Sequence, residues 1–366
     1  MRRTKDPGPA PRETRNLSGV GSGAATTNAD PSREHHLLLV LILVFVCLSA
    51  GIVTVGYLSY RSYAAQYRAQ VESQLLAIAD LKVAELAQWR NERMGDAGLI
   101  FENAAFSDLV ARLFAHPEDV DARGRTQAWM ARCLTRPEYD EVRLLDPQGA
   151  TRLSAPANPA PAPVAVRERI AEVVRSGQVA MTDVYRDEHD GREHIATLVP
   201  ILHERDAHHV IGILTLRTDP EQYLFPFIRR WPTASRTAET LLVRRDGSDV
   251  LFLNELKFQK RTALALRIPL TRTDVLAVKA VLGQTGVVEG LDYRGVAVIG
   301  SVRPVPGSPW FLVARMDTAE ILAPLRARRG DLAVVVGALL FAAAAGVGIA
   351  WRQHSARRYR ERYEAA

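Results

Sequence analysis

Seven residues between positions 129 and 194 carry the side chains that a pocket for a small polar molecule needs: Trp129, Arg132, Tyr139, Arg143, Asp183, Tyr185 and His194. Such a pocket wants an aromatic wall and a few charged groups that converge on it. Arg132 or Arg143 can hold a carboxylate through two parallel hydrogen bonds, and Asp183 can take an ammonium. The competing reading of the same residues is structural. Trp129 and Tyr139 are then core, and the arginines a solvated face.

His189, His194, His203, His208 and His209 crowd the same region, with Asp187, Asp190 and Asp206 beside them. Zinc takes three or four ligands at about 2.0–2.2 Å, and neighbouring turns can supply them. No compact signature such as HExxH occurs, and turns are often polar for solvation alone, so no metal site is assigned. No catalytic residue is assigned either, because no GxSxG elbow, SxxK or paired-carboxylate phrase stands in a recognisable context. GVGSG at 19–23 lacks the preceding strand and following Gly-Lys-Ser/Thr of a phosphate loop. Cys47 and Cys133 fall in different environments, which argues against an intrachain disulfide. No cofactor is expected.

The elements that must position these residues begin with two apolar runs. Residues 37–57 and 332–351 hold no charge, and each is long enough to cross a hydrocarbon core of about 30 Å. The first exceeds a signal-peptide apolar core of roughly 7–15 residues and follows a long polar arm, so it reads as an uncleaved anchor. Of the formal charge of +6, much sits at the two ends. Basic residues there, beside apolar spans, speak for a membrane rather than nucleic acid. Basic outer flanks put both termini in the cytoplasm, leaving 58–330 outside. Arg326, Arg328 and Arg329 point the other way, but that segment far exceeds the roughly 60 residues over which loop charge counts. Residues 1–36, with little to bury, read as a disordered cytoplasmic arm.

Between the spans lies a repeat. Gly191 precedes Pro200 by the interval that separates Gly295 from Pro304, and Arg217, Asp219 and Leu224 match Arg315, Asp317 and Leu322 in spacing. Upstream of each copy stands another strand–turn–strand, EVRLLDPQGATRLSA at 141–155 and TLLVRRDGSDVLFLN at 240–254. An amphipathic helix separates the halves, over 164–176 and 273–282. Each unit thus reads strand–strand–helix–strand–strand–strand, an antiparallel sheet with helices packed on it, α+β in class. Asp219-Pro220 predicts a helix N-cap, and Asp317-x-x-Glu320 a capping box. Ahead of both units a long helix is predicted over 59–102. Val71, Leu75 and Ile78 mark one apolar face, and Leu76, Val83, Leu86 and Trp89 another, suited to packing on the sheets and on a second copy.

This order, with AELAQWRNERMGDA at 84–97, LLVRRDGSDVLFLNEL at 241–256 and GLDYRGVAVIGSVRPVPGSPWFLVARMD at 290–317, resembles the double Cache sensor domains of bacterial histidine kinases, diguanylate cyclases and chemoreceptors. The resemblance covers about 58–325 and rests on structural phrases. It implies two PAS-like antiparallel-sheet units in tandem on a long N-terminal helix, flanked by two transmembrane helices. The expected segments are a signalling and dimer helix region at 58–115, a membrane-distal unit at 116–230, a membrane-proximal unit at 231–325, and the start of a cytoplasmic signalling helix at 352–366. In that family the distal unit holds the ligand, which places the seven candidates there. Amino-acid-binding members carry an arginine, a tryptophan and an aspartate in a set pattern. Arg125 and Trp129 lie in the right neighbourhood, but the full pattern is not matched, and no amino-acid ligand is assigned.

The expectation is therefore a non-catalytic periplasmic input that senses a small-molecule ligand at the bacterial inner membrane. It is expected as a homodimer, signalling through the second span to a cytoplasmic output domain in a longer parent chain, with no nucleic-acid partner. Two alternatives stay open. An extracytoplasmic scaffold would show a flat apolar patch on the first unit instead of a buried polar pocket. A membrane-tethered hydrolase is the more distant one.

Overall fold

The computed structural model describes residues 31–158, 160–203 and 206–364. The glycine-rich stretch at 19–23, and the predicted arm up to position 30, lie outside the described residues. The chain divides into two compact units, one made of residues up to Tyr57 and from Val334, the other of Leu58–Ala333.

The first unit holds the apolar parts of α1 (Pro31–Phe101) and α7 (Thr318–Glu364). Both helices are long and apolar enough to cross a membrane. A side chain at Gly56 would meet Val336 Cγ2 at 3.0 Å, so the glycine lets the two helices approach within this unit.

The second unit carries two six-stranded antiparallel sheets in tandem. After α1 come α2 (Ala104–Ala115) and α3 (Val120–Cys133). The first sheet follows, from β1 (Glu141–Leu145), β2 (Thr151–Ala155), β3 (Ala180–Met181), β4 (Tyr185–Arg186), β5 (Glu193–His203) and β6 (Asp206–Thr218), with α4 (Val164–Ser176) after β2. Its order is β2-β1-β6-β5-β3, and β4 pairs with β5. Helix α5 (Leu224–Arg229) leads to the second sheet: β7 (Glu239–Asp246), β8 (Asp249–Phe252), β9 (Arg267–Pro269), β10 (Gly286–Leu291), β11 (Ala297–Pro304) and β12 (Trp310–Asp317). Here the order is β10-β11-β12-β7-β8-β9, with α6 (Leu276–Val281) between β9 and β10. The α+β class and the tandem sheets on a long helix are as the sequence implied. The first module carries one more strand after its helix, and the second one more before it, than the repeat predicted.

Strand alternation decides which side chains meet. Val142 and Leu144 of β1 join Phe106, Val110 and Met130 of the two preceding helices in one core. Glu141, Arg143 and Leu145 point to the opposite face, where Leu145 packs with Val166, Ile170 and Val173 of α4. The repeat appears in the pairing register: Glu141 stands opposite Arg217, and Glu239 opposite Arg315. Beyond Arg217 on that row is Ala196, and beyond Arg315 is Gly300, where a Cβ would come within 2.9 Å of Arg315 Cβ.

Three local expectations are revised. The two apolar faces of α1 merge into one buried stripe, Val71, Leu75, Ala79, Lys82, Leu86, Trp89, Arg93 and Ala97, at the three-and-four spacing of a single face. Leu76, Ile78 and Val83 are its half-buried margins. Lys82 belongs to the stripe because its Nζ donates to the carbonyls of Phe227, Ile228 and Arg230 at the end of α5, and burial pushes its pKa down to about 8. Asp219 does not cap a helix; its carboxylate accepts from Glu221 N at 2.8 Å in a turn, and α5 starts only at Leu224. The capping box does not close either. Glu320 reaches to Ser235 Oγ and the backbone N–H groups of Arg236 and Thr237, tying the first turn of α7 to the lead into β7.

Candidate functional site

The candidate site lies on the α4 face of the first sheet. Arg143, 2% exposed, donates through Nη1 to the carbonyl of Ala160 at 2.6 Å. Its Nε lies 3.0 Å from Glu141 Oε2 but out of hydrogen-bond alignment, and its Nη2 has no partner among the described residues. Glu141 also accepts from Asn158 Nδ2 at 2.8 Å. Arg217, in the next strand, forks onto Asp140 at 3.0 and 2.9 Å and reaches Asp187 at 3.2 Å. Glu141 stands 3.3 Å from the same guanidinium, and Asp190 3.7 Å.

His194, fully buried, pairs Nε2 with Asp190 Oδ2 at 2.8 Å. A carboxylate only accepts, so Nε2 carries the proton and Nδ1 is left over. The nearest acid to Nδ1 is Asp140 at 3.8 Å, too far for a hydrogen bond. Tyr185 pairs across the ladder with His194, and its buried hydroxyl has no partner among the described residues. Burial raises the phenol's pKa, so it stays neutral. Burial works against the Asp190 carboxylate, but the Arg192 N–H, His194 and Arg217 outweigh it and hold its pKa low. Three buried side chains, Arg143, Tyr185 and His194, thus each leave a polar atom without a partner among the described residues, and they are linked through Glu141, Arg217 and Asp190. Each such group costs about 1–3 kcal/mol unless something partners it.

The seven sequence candidates divide three ways. Arg143, Tyr185 and His194 belong to this network. Trp129, Arg132 and Tyr139 lie on the opposite face, lining a cavity of about 290 Å³ beside α1 and α3. Strand parity separates them: Leu216 faces that cavity and Arg217, one residue on, faces the network. Asp183 stands apart. It accepts from Trp310 Nε1 at 2.6 Å and faces Arg244 Nε at 2.7 Å, joining the approach to β4 to the second sheet. Sequence reasoning missed Asp140, Glu141 and Arg217 as site residues, and raised Asp187 and Asp190 only as neighbours of the histidines. The signal was present for Arg217, whose spacing repeats in Arg315.

The second sheet repeats the arrangement around Arg217. Arg315, fully buried, is met by Glu239, by Asp317 at 2.9 Å and by Asp292 at 3.2 Å. Phe258 and Tyr293 cover it, with ring centroids at 5.6 and 5.4 Å. Only its Nε lacks a partner among its nitrogens.

The histidines do not form one group. His203 and His209 stand edge to face at 6.4 Å at one end of β5, and His194 near the other, about 30 Å away at the rise of an extended strand. The side chains of Asp206 and His208 lie outside the described residues. Asp187, Asp190 and His194 do bring ligand atoms within 4.8 Å of one another, as do Asp187, Glu188 and His189. Arg217 already stands against Asp187 and Asp190 and supplies the positive charge a metal would bring.

No family model matches the chain, and no curated protein does. Solved sensor domains are similar to it. The ligand-binding domain of the Pseudomonas aeruginosa amino-acid chemoreceptor PctC, in complex with GABA, shares 17% identity over 68% of this chain and 100% of that one, with a TM-score of 0.47. For that of the Pseudomonas fluorescens chemoreceptor CtaA with L-serine the values are 15%, 68%, 98% and 0.46. The sensor domain of the V. cholerae histidine kinase DctB gives 12%, 69%, 99% and 0.48.

Proposed function

We propose that the chain is the ligand-sensing input of a two-pass receptor in a bacterial inner membrane. On this reading 37–57 and 332–351 span the bilayer, the arm at 1–36 and the helix from 352 are cytoplasmic, and the modules at 116–230 and 231–325 stand in the periplasm behind the helical region 58–115. The chain performs no catalysis. The small-molecule ligand binds the first module, its anionic group taken by Arg143.

One observation carries the reading. Buried Arg143, Tyr185 and His194 of the first module each leave a polar atom without a partner among the described residues, while the second module has core-packed Leu241 two residues beyond Glu239, where the first has Arg143 two beyond Glu141. Charged hydrogen bonds to Arg143 are worth about 1.5–3 kcal/mol each, enough to select a carboxylate over a neutral isostere.

Asp183 offers the route onward. Tyr185 and Asp187 belong to the network, Asp183 joins the same segment to Trp310, and β12 runs from Trp310 to Asp317 directly into α7. A ligand that shifts this segment biases α7 between two packings, to be read by a cytoplasmic output domain. The receptor works as a homodimer, which sedimentation of the detergent-solubilised chain tests. For the binding claim, the full chain in mild detergent is screened for thermal shifts against small metabolites, and hits are repeated with Arg143→Gln. The reading expects anionic hits whose shift disappears in the variant. Hits that shift wild type and variant equally would refute the site.

A further inference from the structure

A second feature of the first module has no part in that reading. On the face away from α4, α1, α3 and the entry to β1 enclose the cavity of about 290 Å³, near the lower bound for small-molecule sites. Trp129 and Tyr139 form its aromatic walls, with Leu99 and Ile100 from α1. Trp129 is braced from behind by Phe106, ring centroids 3.8 Å apart. Leu99 is 70% exposed, a large apolar side chain at the cavity mouth with nothing of this module over it.

The charge around this cavity is unbalanced. Asp96 is its one acidic lining residue, and it is engaged by Arg93 Nη2 at 3.1 Å, Tyr139 Oη at 3.0 Å and Arg136. Arg93 lies over the Tyr139 ring, 5.5 Å from its centroid, and its buried Nε has no partner. Arg132 lines the cavity, and none of the acids of the described residues pairs with it. Two guanidinium groups therefore share one carboxylate, and a third, on exposed Arg132, stands beside the aromatic wall with none.

We propose that this cavity is a second ligand site, for an organic anion with an apolar or aromatic body. The carboxylate meets Arg132, and the body lies against Trp129 and Tyr139 and covers Leu99. Such a ligand bridges α1 and α3 and acts on α1 without passing through Arg143. It adjusts the receptor from the helix side, independently of the network on the other face.

Cys133 also lines the cavity and serves as the reporter. In a full-length Cys47→Ala chain, held in detergent, it is the only thiol. Its alkylation by iodoacetamide is followed by mass spectrometry with phenylacetate, hexanoate, phenylacetamide or phenethylamine present. The carboxylates should slow alkylation in step with occupancy, about tenfold at roughly ten times their Kd. The amide and the amine should not. Arg132→Gln should weaken the carboxylate effect about ten- to hundredfold, the loss of one charged hydrogen bond, while Arg143→Gln leaves it unchanged. If Cys133 resists alkylation, saturation-transfer NMR reads the same compounds and variants. Equal protection by phenylacetamide, no effect of either carboxylate, or full protection in Arg132→Gln would each overturn the proposal. None of these outcomes bears on the Arg143 site.

Discussion

Replacing Arg217 with methionine tests whether a guanidinium is the cation that holds the first network together. The side chain is only 16% exposed and faces Asp140, Glu141, Asp187 and Asp190, of which Asp187 and Glu141 are 1% and 3% exposed. Removing one partner of a buried pair strands the other and costs about 3–5 kcal/mol. The cost depends on pH with a definite sign. In the wild type, Asp190 has a folded pKa below its unfolded value, so its contribution is present above the usual carboxylate range and is lost as pH falls through the folded value. In the variant Asp190 loses the guanidinium that helps hold its pKa low, so acid costs that protein less. The stability gap between the two proteins should therefore be widest near neutral pH and narrow toward about pH 4. Urea titration of the full chain in detergent, followed by tryptophan fluorescence, measures it. A gap below about 1 kcal/mol at neutral pH, or one that widens in acid, would refute the reasoning. A corollary is that zinc should stabilise the variant and not the wild type, since Asp187, Asp190 and His194 lose their competing guanidinium.

Four further outcomes follow from the same contacts. Leu214→Ala, at a fully buried core position, should cost about 2–5 kcal/mol and leave ligand selectivity unchanged, as read by unfolding and thermal shift. Asp183→Ala removes the acceptor of Trp310 Nε1; it should cost about 1–3 kcal/mol, keep ligand affinity by calorimetry, and abolish ligand-dependent changes in hydrogen exchange at 318–325. Burial opposes ionisation of Glu320, but hydrogen bonds from Thr237, Arg236 and Ser235 hold its pKa low. Glu320→Ala should therefore lower stability above about pH 4.5 and matter less as pH falls below that value, which a pH series of unfolding curves checks. In a fusion to a histidine kinase, one residue inserted after Trp351 turns the helix by about 100° and should disrupt ligand-controlled phosphorylation, whereas seven nearly restore its phase and should keep it.

The tandem architecture was legible because it is written in spacing. Gly191 and Gly295, and the Arg-x-Asp pairs at 217–219 and 315–317, mark equivalent turns and strand ends, and helix α4 lies over 164–176 as its apolar period predicts. The site was legible only in part, because a list of residue types does not say which face each one takes. Tyr139 precedes β1 and joins the helix side, while Arg143, inside the strand, turns to the α4 side with Glu141. Long-range partners were beyond reach of local pattern. Nothing near Glu320 announces that it crosses to Thr237, and nothing near Lys82 announces the α5 carbonyls. Capping rules assume that an acid serves its own helix, and here tertiary partners outcompete it.

Hydrogen–deuterium exchange on the full chain, with and without a saturating anionic hit, tests the central claim most directly. The account predicts slower exchange at the amides of Asn158, Ala160 and Ala162 and over 185–190, a change at the start of α7, and none at the matching turn over 292–296. Protection confined to 292–296 and its neighbours, with the first module unchanged, would contradict it.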